Sequence, residues 1–338
     1  MRTVKAAVSV VISAALCLSL ASCSELREFK YKLHGMEPVT KNNEKHTSAL
    51  EEYYNSKAPE PEKELYAYKA LNDDAGSEYA AVTAYNGDEV KVTVPTKIDE
   101  ISVKEVGADS FSENENLYHV GIPYGVLSVG DYAFYKCMNL ESVVLPSTLT
   151  SLGAKAFAYC SALEKVYIPR AVKYIGESAF EECTSLKEIG ISGGLVTIPC
   201  AAFKNCESVS YIYIPRSVER IEREAFAGCK ALKRVDISEN VTYIAEEAFE
   251  GCDEAVFACP KDSYAEKYAS EHGFDVESLS TAQEQSVVDT AESIADSSER
   301  ELEKEESLLP SLILGNGAEE YGEATSDEAD DAINEPAE

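Results

Sequence analysis

The chain has 338 residues, of which 61 are acidic and 30 are basic, so its formal net charge at pH 7 is −31. Binding to nucleic acid needs clustered Lys and Arg side chains that neutralise phosphates, and this charge balance therefore argues against a nucleic-acid partner. Hydrophobic residues make up 45% of the chain, which is enough for a long stretch of it to bury a continuous core.

The first 22 residues have the features of a secretory signal peptide. Arg2 and Lys5 precede an apolar run over residues 6–20, which is too short to favour a stable membrane span. The run ends in Leu-Ala-Ser-Cys at residues 20–23, which resembles a bacterial lipobox. The resemblance implies that Cys23 receives a diacylglycerol and becomes the first residue of a lipid-anchored protein outside the cytoplasm. The alternative is an ordinary signal in which Cys23 is incidental.

Residues 23–65 follow without apolar periodicity and are dense in Lys, Glu, Asn and Pro, which predicts a flexible tether. An ordered body is expected over residues 66–275. Its N-terminal cap is predicted to be a hairpin over residues 78–94, with two strands on either side of Asn86 and Gly87.

Within this body, Phe recurs every 23 residues in seven copies without a slip in register. The positions are Phe111, Phe134, Phe157, Phe180, Phe203, Phe226 and Phe249. A fixed period of this size marks a repeat array, in which each unit buries its apolar side only by stacking on its neighbours. Identical residues should therefore meet from one coil to the next.

Each unit has the alternation of a strand in its first half and the spacing of a short helical turn in its second half. Stacked strands form a parallel sheet, and a Pro such as Pro146 ends each strand because it cannot donate to the ladder. The pattern C-x-x-L-x-x-V-x-I-P-x-x-V-x-x-I-x-x-x-A-F resembles the BspA-like leucine-rich repeat family, also called the Treponema-type 23-residue repeat. The resemblance implies an α/β repeat solenoid, a leucine-rich repeat stack with a parallel sheet on one face. Local irregularity is expected at Ser192 and Pro199, which depart from the pattern.

The C-terminal cap is predicted to be a last strand near Val256–Cys259 and a short amphipathic helix capped by Ser263. Residues 276–338 then contain 19 acidic side chains and only two basic ones, which predicts a disordered acidic tail. Val287, Val288, Ala291, Ile294 and Ala295 have the spacing of a weak helix that forms on contact with a partner. The apolar island over residues 308–314 is either a docking segment or a chance cluster.

Six of the ten Cys residues form a column three residues after the Phe column. They are Cys137, Cys160, Cys183, Cys206, Cys229 and Cys252. Exported proteins often use Cys for disulfides. Parallel side chains on neighbouring strands nevertheless oppose the dihedral angle that a disulfide needs. We interpret the column as buried thiols that act as small hydrophobic residues, with disulfides as the alternative.

The sequence offers no catalytic motif, no C-x-x-C metal pair and no phosphate-binding loop, and no nucleophile can be matched with a base at a recognisable spacing. We therefore expect a protein that is not an enzyme and that uses no metal or cofactor.

Strand alternation places two columns of side chains on the outer side of the sheet. The first column is His119, Ser142, Lys165, Glu188, Tyr211 and Arg234, and the second is Gly121, Val144, Tyr167, Gly190, Tyr213 and Asp236. Tyr and Arg are enriched among residues that dominate binding energy at interfaces. The predicted partner-binding residues are therefore Lys165, Tyr167, Tyr211, Tyr213, Arg234 and Asp236. The alternative is an ordinary exposed surface.

The resemblance implies adhesion to host or neighbouring-cell proteins, so the first hypothesis is a lipid-anchored protein on a bacterial surface that binds a protein ligand through this sheet. The second hypothesis is a scaffold component of the cell envelope that binds a bacterial protein or a glycan.

Overall fold

The computed structural model describes residues 65–280 together with Gln283 and Gln285. The expected signal peptide, Cys23, nearly all of the tether and most of the acidic tail lie outside these residues. The described part of the chain is a solenoid of stacked coils with two mainly parallel sheets, each divided into two parts, and the predicted α/β repeat solenoid is confirmed.

Each regular coil contributes one longer and one shorter strand. The longer strands are β6 (His119–Gly121), β8 (Ser142–Val144), β10 (Lys165–Ile168), β12 (Glu188–Ile191), β14 (Tyr211–Ile214), β16 (Arg234–Ile237) and β18 (Val256–Pro260). The shorter strands are β7 (Ser128–Val129), β9 (Ser151–Leu152), β11 (Tyr174–Ile175), β13 (Thr197–Ile198), β15 (Arg220–Ile221) and β17 (Tyr243–Ile244). The N-terminal part adds β1 (Tyr66–Asn72), β2 (Glu78–Tyr85), β3 (Lys91–Thr93), β4 (Lys97–Ile98) and β5 (Ile101–Val106). The C-terminal cap adds α1 (Tyr264–Glu271) and β19 (Asp275–Leu279).

The longer strands form one side of the solenoid, in the orders β3-β6-β8-β10-β12 and β14-β16-β18-β19. We call the outer side of these strands the strand face. The shorter strands form the second sheet together with β1, β2 and β5, in the separate orders β1-β2-β5-β7-β9-β11 and β13-β15-β17. Neighbouring strands pair with equivalent residues opposite each other, as Val166 pairs with Ile189. The 23-residue period therefore becomes a register in which each residue type forms its own column.

The Phe column is the centre of the core. All seven rings are buried, and the rings of Phe157, Phe180 and Phe203 stack nearly parallel with centroids 5.3 and 5.4 Å apart. Tyr85 continues the stack at the N-terminal end with its centroid 5.1 Å from that of Phe111. At the other end Phe257 meets Phe249 edge to face at 5.0 Å. Aromatic rings from the two caps therefore cover both ends of the column.

The segment around each Phe is a series of turns, and the prediction of a short helical turn is wrong. In the coil of Phe134 the backbone is left-handed at Tyr132 (φ 58°) and at Lys136 (φ 56°). These two residues prevent a helix, and they direct backbone N–H groups toward the next coil. The amide of Phe134, for example, donates to the carbonyl of Ala156 at 2.8 Å. The turns of neighbouring coils are thus joined by backbone hydrogen bonds, as the strands are.

The column thiols are unpaired, as predicted, and buried. Each Sγ donates to the carbonyl oxygen of the Phe in the preceding coil, as Cys183 does to Phe157 at 3.2 Å. The six distances lie between 3.1 and 3.3 Å. Cys at this position therefore fills a small apolar site and satisfies a buried carbonyl.

Burial should keep the column thiols unreactive in the native protein. Desolvation raises the pKa of Cys137 to about 12 and raises the pKa of Cys160 and Cys206 well above its ordinary value. Only the thiolate reacts. We expect no modification of the six column thiols by a maleimide at pH 8 until denaturant is added, as read by mass spectrometry. A bridge between Cys160 and Cys183 would contradict this expectation.

A column of glycines lets adjacent coils approach closely. A Cβ atom on Gly176 would lie 2.2 Å from the amide nitrogen of Ala154, and one on Gly153 would lie 2.4 Å from that of Asp131. At the equivalent position of the next coil stands Pro199, which has no N–H. The amide of Gly176 donates to the carbonyl of Leu152 at 2.8 Å, and Pro199 cannot make the corresponding bond. The second sheet is interrupted here, between β11 and β13, as expected for an irregular repeat.

Replacing Gly176 with Ala should destabilise the solenoid by about 1–3 kcal/mol, because the added methyl group forces two backbones apart. Gly193→Ala is the matched control, since the nearest atom to its added Cβ is Ser217 Oγ at 3.9 Å. Urea unfolding of both variants checks this. Equal stability of the two would show that the coils can separate at no cost.

The predicted position of the N-terminal hairpin is wrong. The hairpin is formed by β1 and β2, which pair antiparallel around a turn at residues 73–77, where Asp73 Oδ1 accepts from the amides of Ala75 and Ser77. The free edge of β2 pairs in parallel with β5. β3 therefore cannot pair with β2, and it starts the other sheet by pairing with β6.

The C-terminal cap contains the predicted strand and helix. Ser263 is the N-cap of α1, and its Oγ accepts from the amide of Glu266 at 3.2 Å. The chain then adds β19, which pairs in parallel with β18. The body thus continues to Leu279, four residues past the expected boundary at 275. Among the described residues no helix is both long and apolar enough to cross a bilayer.

Candidate functional site

The strand face carries the predicted binding residues in two adjoining groups. In the first, Lys165 and Tyr167 lie on β10, opposite Glu188 and Gly190 of β12. In the second, Tyr211 and Tyr213 lie on β14, opposite Arg234 and Asp236 of β16. The ladder is interrupted between β12 and β14, although the two strands remain neighbours. The structure therefore brings all six residues onto one face.

The second group is held by a polar network. The hydroxyl of Tyr211 donates to Asp236 Oδ2 at 2.9 Å, and Arg234 Nε lies 2.7 Å from Asp236 Oδ1. Arg234 Nη1 also donates to Glu277 Oε2 at 2.6 Å. The guanidinium thus bridges a buried carboxylate and a half-exposed one, which fixes its direction. We call Tyr211, Arg234, Asp236 and Glu277 the Asp236 network.

Asp236 is buried, although strand alternation predicts an exposed side chain. Only 4% of its surface is accessible to solvent. Burial raises the pKa of Asp236, and the nearby Arg234 guanidinium and the Tyr211 hydroxyl oppose this rise. Burial also raises the pKa of Tyr211 well above its ordinary value, with the Asp236 carboxylate as the next cause. Asp236 is therefore a support for its neighbours and offers a partner no contact of its own.

Tyr211 has its hydroxyl in this network, while 42% of its surface remains accessible. One end of the side chain is therefore fixed, and the ring is presented to solvent. A fixed ring can be covered by a partner with little loss of rotamer freedom.

The first group has a different support. The ring of Tyr167 lies over Gly190. A Cβ atom added to Gly190 would be only 2.5 Å from Tyr167 Cδ1, so a side chain at this position would clash with the ring. The Tyr167 hydroxyl donates to Glu188 Oε2 at 2.9 Å on the same strand as Gly190. Gly190 thus provides the space in which Tyr167 lies flat across β12. Tyr213 follows Gly190 in the same column and is half-buried.

Sequence reasoning missed two residues of this face. Glu277 is part of the predicted tail, yet it lies on β19 and contacts Arg234. The apolar residues Val276 and Leu279 were the available signal for ordered structure there. Gly190 was recognised only as a position in the column, since a glycine in a sequence does not show which neighbouring ring covers it.

Within residues 65–280 there is no group of three or more His, Cys, Asp or Glu side chains that could hold a metal ion. A cavity of about 420 Å³ lies between α1 and β19, and none of the predicted binding residues lines it. Its lining consists mainly of Ser and charged side chains.

Comparison with known proteins places these observations in a family. A family model described as "BspA type Leucine rich repeat region" matches six copies over residues 91–207 and 196–281. None of the curated proteins matches the chain significantly. Among solved structures, a leucine-rich repeat protein of T. pallidum (TpLRR) is 24% identical with a TM-score of 0.54, and the match covers 66% of this chain and 100% of that one. A leucine-rich repeat protein of Bacteroides ovatus is 19% identical with a TM-score of 0.38, covering 64% and 75%.

Proposed function

The chain belongs to the BspA-type leucine-rich repeat family, and we propose from this premise that it binds a protein ligand through its strand face. Leucine-rich repeat proteins of this type are generally scaffolds for protein interaction or adhesion, typically without enzymatic activity. The proposed contact residues are Lys165, Tyr167, Tyr211, Tyr213 and Arg234, with Asp236 as their buried support.

The observation that carries this proposal is the Asp236 network. An ordinary exposed surface seldom fixes its side chains through a buried carboxylate, because burying a charge is costly unless it is paired. Here the carboxylate is paired with Arg234 and Tyr211, and both of those side chains reach the surface. Prearranged aromatic and guanidinium groups are the residue types that dominate interface energies.

Capture experiments with the immobilised, detergent-solubilised full chain test the proposal. Separate arms contain host extracellular matrix proteins, envelope extract and glycans. We expect saturable binding to a purified protein from the first arm. Binding confined to envelope proteins or glycans would instead favour a scaffold role in the cell envelope, and a lack of saturable binding in every arm would overturn a binding function.

We further propose that the protein is lipid-anchored at Cys23 and lies outside the cytoplasm, on the membrane surface. Support comes from the basic N-terminus, the apolar run over residues 6–20 and the lipobox-like residues 20–23. At least two acyl chains give stable anchoring where one is marginal.

Anchoring predicts that the mature protein partitions into the detergent phase and begins at an acyl-modified Cys23. Cys23→Ala should move the protein to the aqueous phase or leave it unprocessed. Mass spectrometry of the N-terminal peptide checks the modification. A mature N-terminus at another residue, without lipid, would contradict the proposal.

A further inference from the structure

Three tyrosines form a cluster on the outer side of the turns around the Phe column, which we call the turn face. The ring of Tyr135 lies at the centre of the cluster. It is in edge-to-face contact with Tyr132 at 5.4 Å and with Tyr159 at 5.6 Å between centroids. Tyr132 and Tyr159 each keep 37% of their surface accessible to solvent. Two partly exposed rings from neighbouring coils are thus held in place by a third ring.

The backbone of the solenoid does not require a ring at these positions. Tyr159 has a left-handed backbone with φ 65°, a conformation that is unfavourable for a bulky residue and that glycine adopts readily. The equivalent residues of two later coils are Gly228 (φ 74°) and Gly251 (φ 75°). At the position equivalent to Tyr132 (φ 58°), Ser178 has the same φ of 58°. Residues without a ring therefore satisfy the fold, and its requirements do not account for the tyrosines.

A carboxylate lies next to each of the two outer tyrosines. Equivalent residues of neighbouring coils are about 4.8 Å apart, which is the spacing of adjacent strands. Asp109 is the equivalent of Tyr132 in the preceding coil, and Glu182 is the equivalent of Tyr159 in the following coil. Asp109 is exposed and Glu182 is half-exposed. A side chain that covers either ring is therefore within reach of a carboxylate.

The turn face around the cluster is acidic. Seven acidic and two basic side chains lie in the four turns that contain and flank the tyrosines, at residues 107–115, 130–138, 153–161 and 176–184. The basic side chains are Lys136 and Lys155, and Lys136 is already paired with Glu113. This side of the solenoid therefore attracts a cationic partner and repels an anionic one.

The chain itself shows how a cation binds to the cluster. Lys136 Nζ lies 5.1 Å from the centroid of the Tyr135 ring and 3.1 Å from Glu113 Oε1. The ammonium group is thus shared between an aromatic ring and a carboxylate of the preceding coil, which is a favourable environment for a cation. The two outer rings, with their neighbouring carboxylates, offer the same pair of groups to a cation from another protein.

We propose that this cluster is a second binding site, whose partner is a protein segment rich in Arg and Lys. Guanidinium or ammonium groups of the partner lie on the rings of Tyr132 and Tyr159. The carboxylates of Asp109 and Glu182 accept hydrogen bonds from the same groups. The site is separate from the strand face, and it depends neither on the ligand proposed there nor on the existence of such a ligand.

Binding of fluorescein-labelled octa-arginine to the detergent-solubilised full chain tests the proposal, with fluorescence anisotropy measured at about 0.15 M salt. Changing Tyr132, Tyr135 and Tyr159 together to Ser should weaken binding at least about five-fold, because the cation–π contacts are lost. This variant keeps the net charge of the chain, so attraction to carboxylates elsewhere is unchanged. The corresponding triple Phe variant keeps the rings and should bind as the wild type does.

The carboxylates are tested by a second pair of variants. Asp109→Asn/Glu182→Gln should weaken binding about three-fold, as expected for the loss of two exposed ion pairs. Glu247→Gln/Glu250→Gln is the control, because it removes two exposed carboxylates from the turn of residues 245–253, which contains no Tyr. Its effect should be much smaller. The strand-face variant with Ser at Tyr167, Tyr211 and Tyr213 should bind octa-arginine as the wild type does.

Crosslinking with benzophenone-labelled octa-arginine locates the bound peptide. We expect crosslinks in residues 130–138 and 153–161, and their loss in the triple Ser variant. Crosslinks confined to residues 276–338, or equal losses of affinity in the two carboxylate variants, would show attraction by charge alone and overturn the proposal. Wild-type affinity in the triple Ser variant, or lost affinity in the triple Phe variant, would also overturn it, since the rings would then not bind the cation.

Discussion

Phe180→Ala is expected to lower the free energy of unfolding by about 3–5 kcal/mol, through lost burial and the cavity that remains. The ring of Phe180 is fully buried between those of Phe157 and Phe203, at centroid distances of 5.3 and 5.4 Å. The turns hold the coils on both sides at fixed spacing, because the amide of Phe157 donates to the carbonyl of Ala179 and the amide of Phe180 donates to that of Ala202, both at 2.8 Å. The coils therefore cannot collapse into the space that the ring leaves. Urea unfolding followed by circular dichroism measures the effect.

Tyr174→Ala is the matched control for this substitution. Tyr174 lies in the same coil, but 60% of its surface is accessible, and its loss should change stability by less than about 0.5 kcal/mol. A Phe180→Ala protein as stable as the control would show that the ring stack does not hold the coils together.

The second large effect is expected in ligand binding. Changing Tyr167, Tyr211 and Tyr213 together to Ser should weaken binding to the ligand found by capture by at least about 2 kcal/mol, or about thirty-fold, because tyrosine rings that a partner covers bury large areas. Titration by surface plasmon resonance measures the change. Ligand affinity equal to that of the wild type would show that the strand face does not bind the ligand.

A second tyrosine cluster provides the matched control. Tyr132, Tyr135 and Tyr159 lie on the turns around the Phe column, with their rings in edge-to-face contact at 5.4 and 5.6 Å. Their replacement by Ser removes the same number of rings from a different side of the solenoid. Ligand affinity should be unchanged in this control.

The Tyr211 substitution also affects stability, since it removes a hydrogen bond from the buried Asp236 carboxylate. Removing one hydrogen-bond partner from a buried polar group lowers the free energy of unfolding by about 1–3 kcal/mol. Tyr211→Phe, which keeps the ring and loses only the hydroxyl, separates the two effects. We expect it to lower stability by this amount and to change ligand affinity much less than the triple substitution does.

Much of the fold follows from the sequence because the repeat is strictly in phase. With Phe at every twenty-third position, one stacking geometry satisfies every coil, and the Phe and Cys columns follow directly. Ser263 was recognisable as a helix cap because capping depends on residues within one turn. The hairpin was misplaced because Asn86-Gly87 is a strong local signal, whereas the pairing of β2 with β5 involves residues more than twenty positions apart.

The period, the residues of the core columns and the side of the sheet on which each side chain lies can all be derived from the amino-acid sequence. The folded structure is needed to see that Asp236 is covered, that Glu277 contacts Arg234, that Gly190 leaves space for Tyr167 and that Pro199 interrupts the second sheet. This difference arises because alternation along a strand is a local property of the backbone. What covers a side chain after it leaves the sheet depends on residues from other coils, and their approach is set by the stacking of the whole solenoid.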